Sequence, residues 1–177
     1  YKIYLINDRS TDSTQEIVDK YCSNFPDKVK AFHRNDENST GKAAGLNYAI
    51  RHSNGEMLAV FDADARIESD FFLKMIPYLD DDSTAAVQSQ KRILNSTANY
   101  LTKLQENEFC LDNYFQCGKD AINGNVELRG NGLIVKRHAL EDVGLWDEQT
   151  LTDDLELSTR LTLSGWKIRF CPETMVL

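Results

Sequence analysis

Short β-rich runs alternate with helical segments along the whole chain, and this alternation restricts the fold more than any other feature of the sequence. Tyr1 to Ile6 is a β-rich run ending at Asn7-Asp8, and Ser10-Thr11-Asp12-Ser13-Thr14 then offers N-caps for a helix through Ile17, Val18 and Tyr21. Lys28 to His33 reads as a short strand. A polar loop, Arg34 to Gly41, leads to a helix over Lys42 to His52 that Asn54-Gly55 stops. Met57 to Phe61 is a buried strand, Asp70 caps a helix from Phe71 to Leu79, and Ala85 to Ile93 is a strand. Ala98 to Ile122 is helical, with Leu104, Leu111 and Phe115 on one stripe that reads as core packing. Leu133 to Val135 is a short strand, Arg137 to Val143 and Asp154 to Ser164 are helices, and Lys167 to Cys171 is the last strand. The order predicts an α/β fold: a mostly parallel sheet flanked by helices on both faces. With 177 residues, 41% of them hydrophobic, one domain with a sizeable core is expected.

The charge balance narrows the partners. Twenty basic against 28 acidic side chains give −8, and the Lys and Arg residues are scattered, so no nucleic-acid partner is expected. An anionic ligand then needs local positive charge from a metal or a few placed cations. Cys22, Cys110, Cys117 and Cys171 have no CxxC spacing and read as reduced, mostly buried thiols. Asn38-Ser39-Thr40 and Asn95-Ser96-Thr97 are sequons that matter only in a secreted chain. The apolar runs are shorter than the roughly 20 residues of a membrane-spanning helix.

In such a sheet, ligands bind outside the carboxyl ends of the strands. Asp8 and Asp62-Ala63-Asp64 stand at two of these ends. If the strand continues, side-chain alternation points Asp62 and Asp64 the same way, and two carboxylates suit a hard cation, Mn²⁺ or Mg²⁺, with coordination positions left for a diphosphate. A solvated loop fits DxD equally well. Asp8 suits a base or ribose contact, or a turn carboxylate. Ser39-Thr40-Gly41-Lys42 opens a helix toward phosphate but lacks the first glycine of a P-loop, and Lys42 by spacing alone is a surface lysine. Ala43, Ala44 and Gly45 are small enough to admit a ligand against the backbone. Thr152-Asp153-Asp154 supplies a helix N-cap or, at Asp154, a general base. Gly130-Asn131-Gly132 permits close approach of a sugar, or forms a tight turn.

Read together and in order, Asn7-Asp8-Arg9-Ser10-Thr11-Asp12, Lys42-Ala43-Ala44-Gly45-Leu46-Asn47, Asp62-Ala63-Asp64, Gly130-Asn131-Gly132 and Thr152-Asp153-Asp154 resemble the inverting family 2 glycosyltransferases of GT-A fold. The branch most similar contains cellulose, chitin, hyaluronan and poly-N-acetylglucosamine synthases. The resemblance implies that Asp8 contacts the nucleotide base, Lys42 lies near the nucleotide, and Asp62 with Asp64 handles metal and diphosphate. It implies that Asp154 is the base, that Asp153 replaces the Glu of the family's Thr-Glu-Asp, and that Asn131 and Gly132 line the acceptor site with Asp153. It also implies that residues 1–177 are a single catalytic domain of a longer protein, lacking a first strand and a C-terminal segment. By the same resemblance, the helix carrying Leu104, Leu111 and Phe115 is an alternative membrane-interface element.

The activity expected is transfer of a sugar from a nucleotide sugar, a UDP-sugar, to a saccharide or lipid-linked hydroxyl acceptor, with Mn²⁺ or Mg²⁺ as cofactor, in polysaccharide synthesis. A non-catalytic nucleotide-sugar-binding domain and a sugar nucleotidyltransferase are the alternatives. The expected location is the cytoplasmic face of the membrane if the parent protein is membrane-anchored, and the cytoplasm otherwise.

Overall fold

The computed structural model describes residues 1–35 and 41–177. Two compact units emerge: Tyr1–Gly55 with Leu145–Asp153, and Glu56–Gly144 with Asp154–Leu177.

In the first unit, β1 (Ile3–Asp8) and β2 (Val29–Arg34) pair in parallel, joined by helix α1 (Thr14–Asn24). Asp12 Oδ1 accepts from the Thr14 N–H and hydroxyl at 3.0 and 2.5 Å, so Asp12 braces the entry to the helix. Helix α2 (Lys42–Arg51) buries Ala43, Ala44, Ala49 and Ile50. A Cβ on Gly45 would lie 3.2 Å from Ile6 Cγ2. Gly45 therefore serves the packing of α2 on β1. Tyr4 and Phe32 stack across the two strands, and Phe32 meets Tyr48 edge-on.

The second unit holds a four-stranded sheet in the order β3-β5-β4-β6. These strands are β3 (Met57–Val60), β4 (Thr84–Lys91), β5 (Leu133–Lys136) and β6 (Lys167–Val176). β4 and β6 are parallel, while β5 runs antiparallel to both β3 and β4, so three of the four strands point one way. Alternation along the chain predicts direction only where a helix crosses over, and β5 enters directly from an irregular segment. β6 extends beyond Cys171: its register jumps from Ser89 opposite Cys171 to Gln90 opposite Met175, which loops out Pro172, a residue with no N–H for the ladder.

Helix α3 (Phe71–Met75) gives way to a 3₁₀ turn over Ile76–Leu79 at Pro77. Asp70 makes no side-chain cap bond and pairs instead with Lys74 at 3.0 Å. Phe71, Met75 and Leu79 pack on Val87, Ile134 and Cys171 to form the core. Helix α4 (Tyr100–Ala121) opens with a capping box between Asn99 and Thr102. Helices α5 (Arg137–Asp142) and α6 (Asp153–Leu163) complete the elements.

α4 reverses the expected packing. Leu104, Leu111 and Phe115 are 46, 57 and 57% exposed, and its buried residues are Asn113 and Gln116. Carboxylates hold the inner face: Glu106 pairs with Arg92, Asp112 with Arg129 and Asp120 with Arg169. Periodicity identifies a stripe but not the side on which the protein lies. The thiols also differ from expectation: all four are free, yet only Cys171 is buried, and Cys110 and Cys117 are exposed. Among the described residues, no helix is long and apolar enough to cross a membrane.

Candidate functional site

Asp8 closes β1, and the parallel register sets it beside Arg34. Its Oδ1 lies 3.3 Å from Arg9 Nε and 3.4 Å from Arg34 Nη1. The Arg34 side chain is only 4% exposed, so this pairing anchors the carboxylate from inside the unit. Asn7 Nδ2 is 3.1 Å from His33 Nδ1, and His33 Nε2 is 3.0 Å from Asp19 Oδ1. A donating Asn amide makes Nδ1 the acceptor and places the ring proton on Nε2, toward Asp19. His33 thus braces the strand ends.

Lys42 is the first residue of α2 and is exposed, at the helix end where free N–H groups attract anions. Ser39 and Thr40 lie outside the described residues. Asn47, buried on α2, holds the Leu145–Asp153 segment: its Nδ2 donates to the Trp146 carbonyl at 2.9 Å and to Glu148 Oε1 at 2.9 Å, and its Oδ1 accepts the Trp146 N–H at 3.1 Å. The sequence pattern contains Asn47 but conceals this bond, which joins residues 99 apart.

In the second unit, β3 ends at Val60 and Asp62-Ala63-Asp64 forms a turn, closed by the Ala65 N–H on the Asp62 carbonyl at 3.0 Å. Strand alternation therefore does not apply to the two carboxylates; a turn presents both at one strand end. The turn is fixed on both sides. Asn131 Oδ1 accepts the Asp62 N–H at 3.2 Å, and Arg66 and Leu177 exchange two backbone bonds at 3.0 and 2.9 Å. Among the described residues, no group of three or more His, Cys, Asp or Glu gathers as a metal cage. Two hard carboxylate oxygens from one turn nevertheless suit a cation that takes its remaining ligands from a diphosphate and water.

Asn131 and Gly132 lie between Arg129 and β5. Asn131 is 7% exposed, and its side chain faces Asp62. Gly132 has φ +69°, and a Cβ there would fall 2.5 Å from Ser89 Oγ and 2.6 Å from Val176 Cγ1. The protein's own packing accounts for this glycine. Asp153 and Asp154 are the first two residues of α6, both half-buried, at the helix's positive end. Buried Ser158 fixes the backbone there: its hydroxyl donates to the Asp154 carbonyl at 2.7 Å and accepts the Leu128 N–H at 2.8 Å.

The structure therefore places Asp62 against Asn131, with Gly132 next in the chain, in one unit, and Asp8 and Lys42 in the other, with Asp154 on the first turn of α6. Gln88 and Ser158 were missed by sequence reasoning. A polar Gln inside the run Ala85 to Ile93 was the available signal for the first.

The family profile described as "Glycosyltransferase like family 2" matches residues 1–177. The chain belongs to this family. A beta-monoglucosyldiacylglycerol synthase of Nostoc sp. is 42% identical over 95% of the chain and 36% of its own length. One of Synechocystis sp. is 39% identical over 95% of the chain and 35% of its own length. A probable glucomannan 4-beta-mannosyltransferase of Oryza sativa is 30% identical over 98% and 32%. The chain thus spans about a third of the length of the curated relatives it matches. A mannosyltransferase from Pyrobaculum calidifontis, solved with GDP-Man and Mn²⁺, superposes with a TM-score of 0.81 at 23% identity, over 99% of this chain and 46% of that one. The fold of this family 2 member is that of the GT-A glycosyltransferases.

Proposed function

We propose that the protein carrying this chain transfers a glucosyl unit from a UDP-sugar to a hydroxyl of a lipid acceptor, with inversion at the anomeric carbon. The observation that carries this reading is the family match over all 177 residues, which takes in Asp8, Asp62, Asp64 and Asp154 together. The relatives at 39 and 42% identity, named for monoglucosyldiacylglycerol synthesis, support glucose and diacylglycerol over a saccharide acceptor. A lipid acceptor in turn calls for reaction at a membrane surface, and the cytoplasmic face is the side we propose.

In this reading the acceptor oxygen attacks the anomeric carbon opposite the diphosphate. The new C–O bond forms as the bond to the diphosphate breaks. A sugar or glyceride hydroxyl is a weak nucleophile near neutral pH, so Asp154 takes its proton during attack, a contribution of about 10²–10⁴ in rate. Asp62 and Asp64 would hold a divalent cation, Mn²⁺ or Mg²⁺, which would offset the charge gathering on the leaving diphosphate. Asp8 receives the base, Lys42 stands by the phosphates, and Asn131, Gly132 and Asp153 border the acceptor.

The test is Asp154→Asn in the full-length protein. Calorimetric affinity for UDP-glucose with Mn²⁺ is expected to hold while transfer to diacylglycerol falls about 10²-fold or more. Near-normal turnover removes Asp154 from the mechanism, and GDP-mannose turned over in place of UDP-glucose overturns the donor.

A further inference from the structure

Gln88 is fully buried in β4 and spends its side-chain amide chiefly on one loop. Its Oε1 accepts the Arg129 N–H at 2.8 Å, and its Nε2 donates to the Asn131 carbonyl at 2.9 Å and to the Ser89 carbonyl at 3.0 Å. The register between β4 and β5 runs from Ala86–Val135 to Gln88–Leu133, and one more backbone bond, from the Ser89 N–H to the Gly132 carbonyl at 3.0 Å, ends it. Residues 129 to 131 therefore lie past the end of that ladder, and the Gln88 amide, with a carbonyl to accept and an NH₂ to donate, serves them in its place.

The consequence reaches the acidic turn. Asn131, held through its carbonyl, is the residue whose Oδ1 accepts the Asp62 N–H at 3.2 Å. The chain of contacts runs from a fully buried amide, through a nearly buried one, to the backbone of the turn that carries Asp62 and Asp64.

We propose that Gln88 is a positioning residue for the nucleotide-diphosphate and cation site, acting through Asn131 to hold the Asp62-Ala63-Asp64 turn in its binding geometry. This inference rests on the reading of Asp62 and Asp64 as that site. A turn already in place gives up less conformational freedom when it captures a ligand, and outer partners of metal-binding groups commonly govern affinity by about 10–100-fold. Removing the Gln88 amide leaves the Arg129 N–H and the Asn131 carbonyl without this partner, so Asn131 keeps its place opposite Asp62 only through the adjoining Gly132, whose N–H donates to the Val60 carbonyl at 3.0 Å.

Gln88→Met keeps the length of the side chain and removes both hydrogen-bonding groups. UDP affinity of the full-length protein is measured by calorimetry with and without Mn²⁺, alongside the thermal midpoint. Ser89→Ala is the matched control, because it removes a buried hydroxyl that donates to the Gly132 carbonyl at 2.8 Å without touching Asn131. The expected result is a roughly tenfold or greater loss of Mn²⁺-dependent UDP affinity in Gln88→Met, against less than about twofold in Ser89→Ala. Asn131→Ala should reproduce the loss, and the double variant should add little to it. Gln88→Met with lowered thermal midpoint but unchanged affinity overturns the inference. If Gln88→Met does not fold, Asn131→Ala decides alone, and unchanged affinity there is equally fatal. Wild-type protein that binds UDP no better with Mn²⁺ refutes the site reading itself, a distinct outcome.

Discussion

Replacing Gly132 by alanine puts a methyl group into space that the protein already fills. The new Cβ would stand 2.5 Å from Ser89 Oγ, 2.6 Å from Val176 Cγ1 and 2.8 Å from Val176 Cβ. The serine hydroxyl can rotate only by giving up its bond to the Gly132 carbonyl at 2.8 Å, and a Cβ on β6 cannot rotate at all. Two costs therefore add. A side chain at φ +69° costs about 1–2 kcal/mol, and overpacking a tight site typically costs about 1–3 kcal/mol, so about 2–5 kcal/mol is expected in total. Gly144 separates the two contributions, because it has φ +88° with nothing within 4 Å of its would-be Cβ. Gly144→Ala should show the conformational part alone, and the change in unfolded-chain entropy is common to both variants. Urea unfolding with linear extrapolation measures each loss, and the difference between the variants should be about 1–3 kcal/mol. Equal losses would refute the steric account and leave the positive φ as the whole reason for a glycine at 132.

Three further outcomes follow from the packing and the titrations. Leu111→Ser and Phe115→Ser, on the exposed stripe of α4, should change stability by no more than about 0.5 kcal/mol, whereas Phe71→Ala in the core should cost about 3–5 kcal/mol by the same urea assay. Asn47→Ala strips partners from the buried Trp146 N–H and carbonyl and should destabilise by about 2–4 kcal/mol, with the change in Trp fluorescence reporting release of the Leu145–Asp153 segment. Burial, with the Glu173 carboxylate beside it, pushes the Cys171 thiol up to about 12 from 9.0, so between these pH values the folded state holds a proton that the unfolded state has lost. Stability should then fall as pH rises from about 9 to 12, and Cys171→Ala should flatten that slope in urea midpoints taken across the window.

Much of the fold was legible from local pattern. The helix from Lys42 ends within a residue of its expected stop, β2 and β4 shift by one or two residues, and the motif order along the chain carried the family. These features depend on neighbours a few positions away: caps, breakers and the period of apolar side chains. The acidic turn was legible as a strand end. Its geometry was not, because β3 stops at Val60, one residue before its expected end, and a turn replaces alternation over Asp62 to Asp64.

What the sequence alone determined was the element order, the excess of negative charge and the residues that could carry chemistry. Tertiary structure decided which side of each element faces inward. The carboxylates of α4 turn toward the sheet because Arg92, Arg129 and Arg169 wait there, 14, 17 and 49 positions away, and the apolar stripe is left outside. Asp62 finds Asn131 across 69 positions, and Gln88 finds Arg129 across 41. Such contacts exist only once the chain has closed on itself, and no periodicity within a helix or strand encodes which distant groups will meet it.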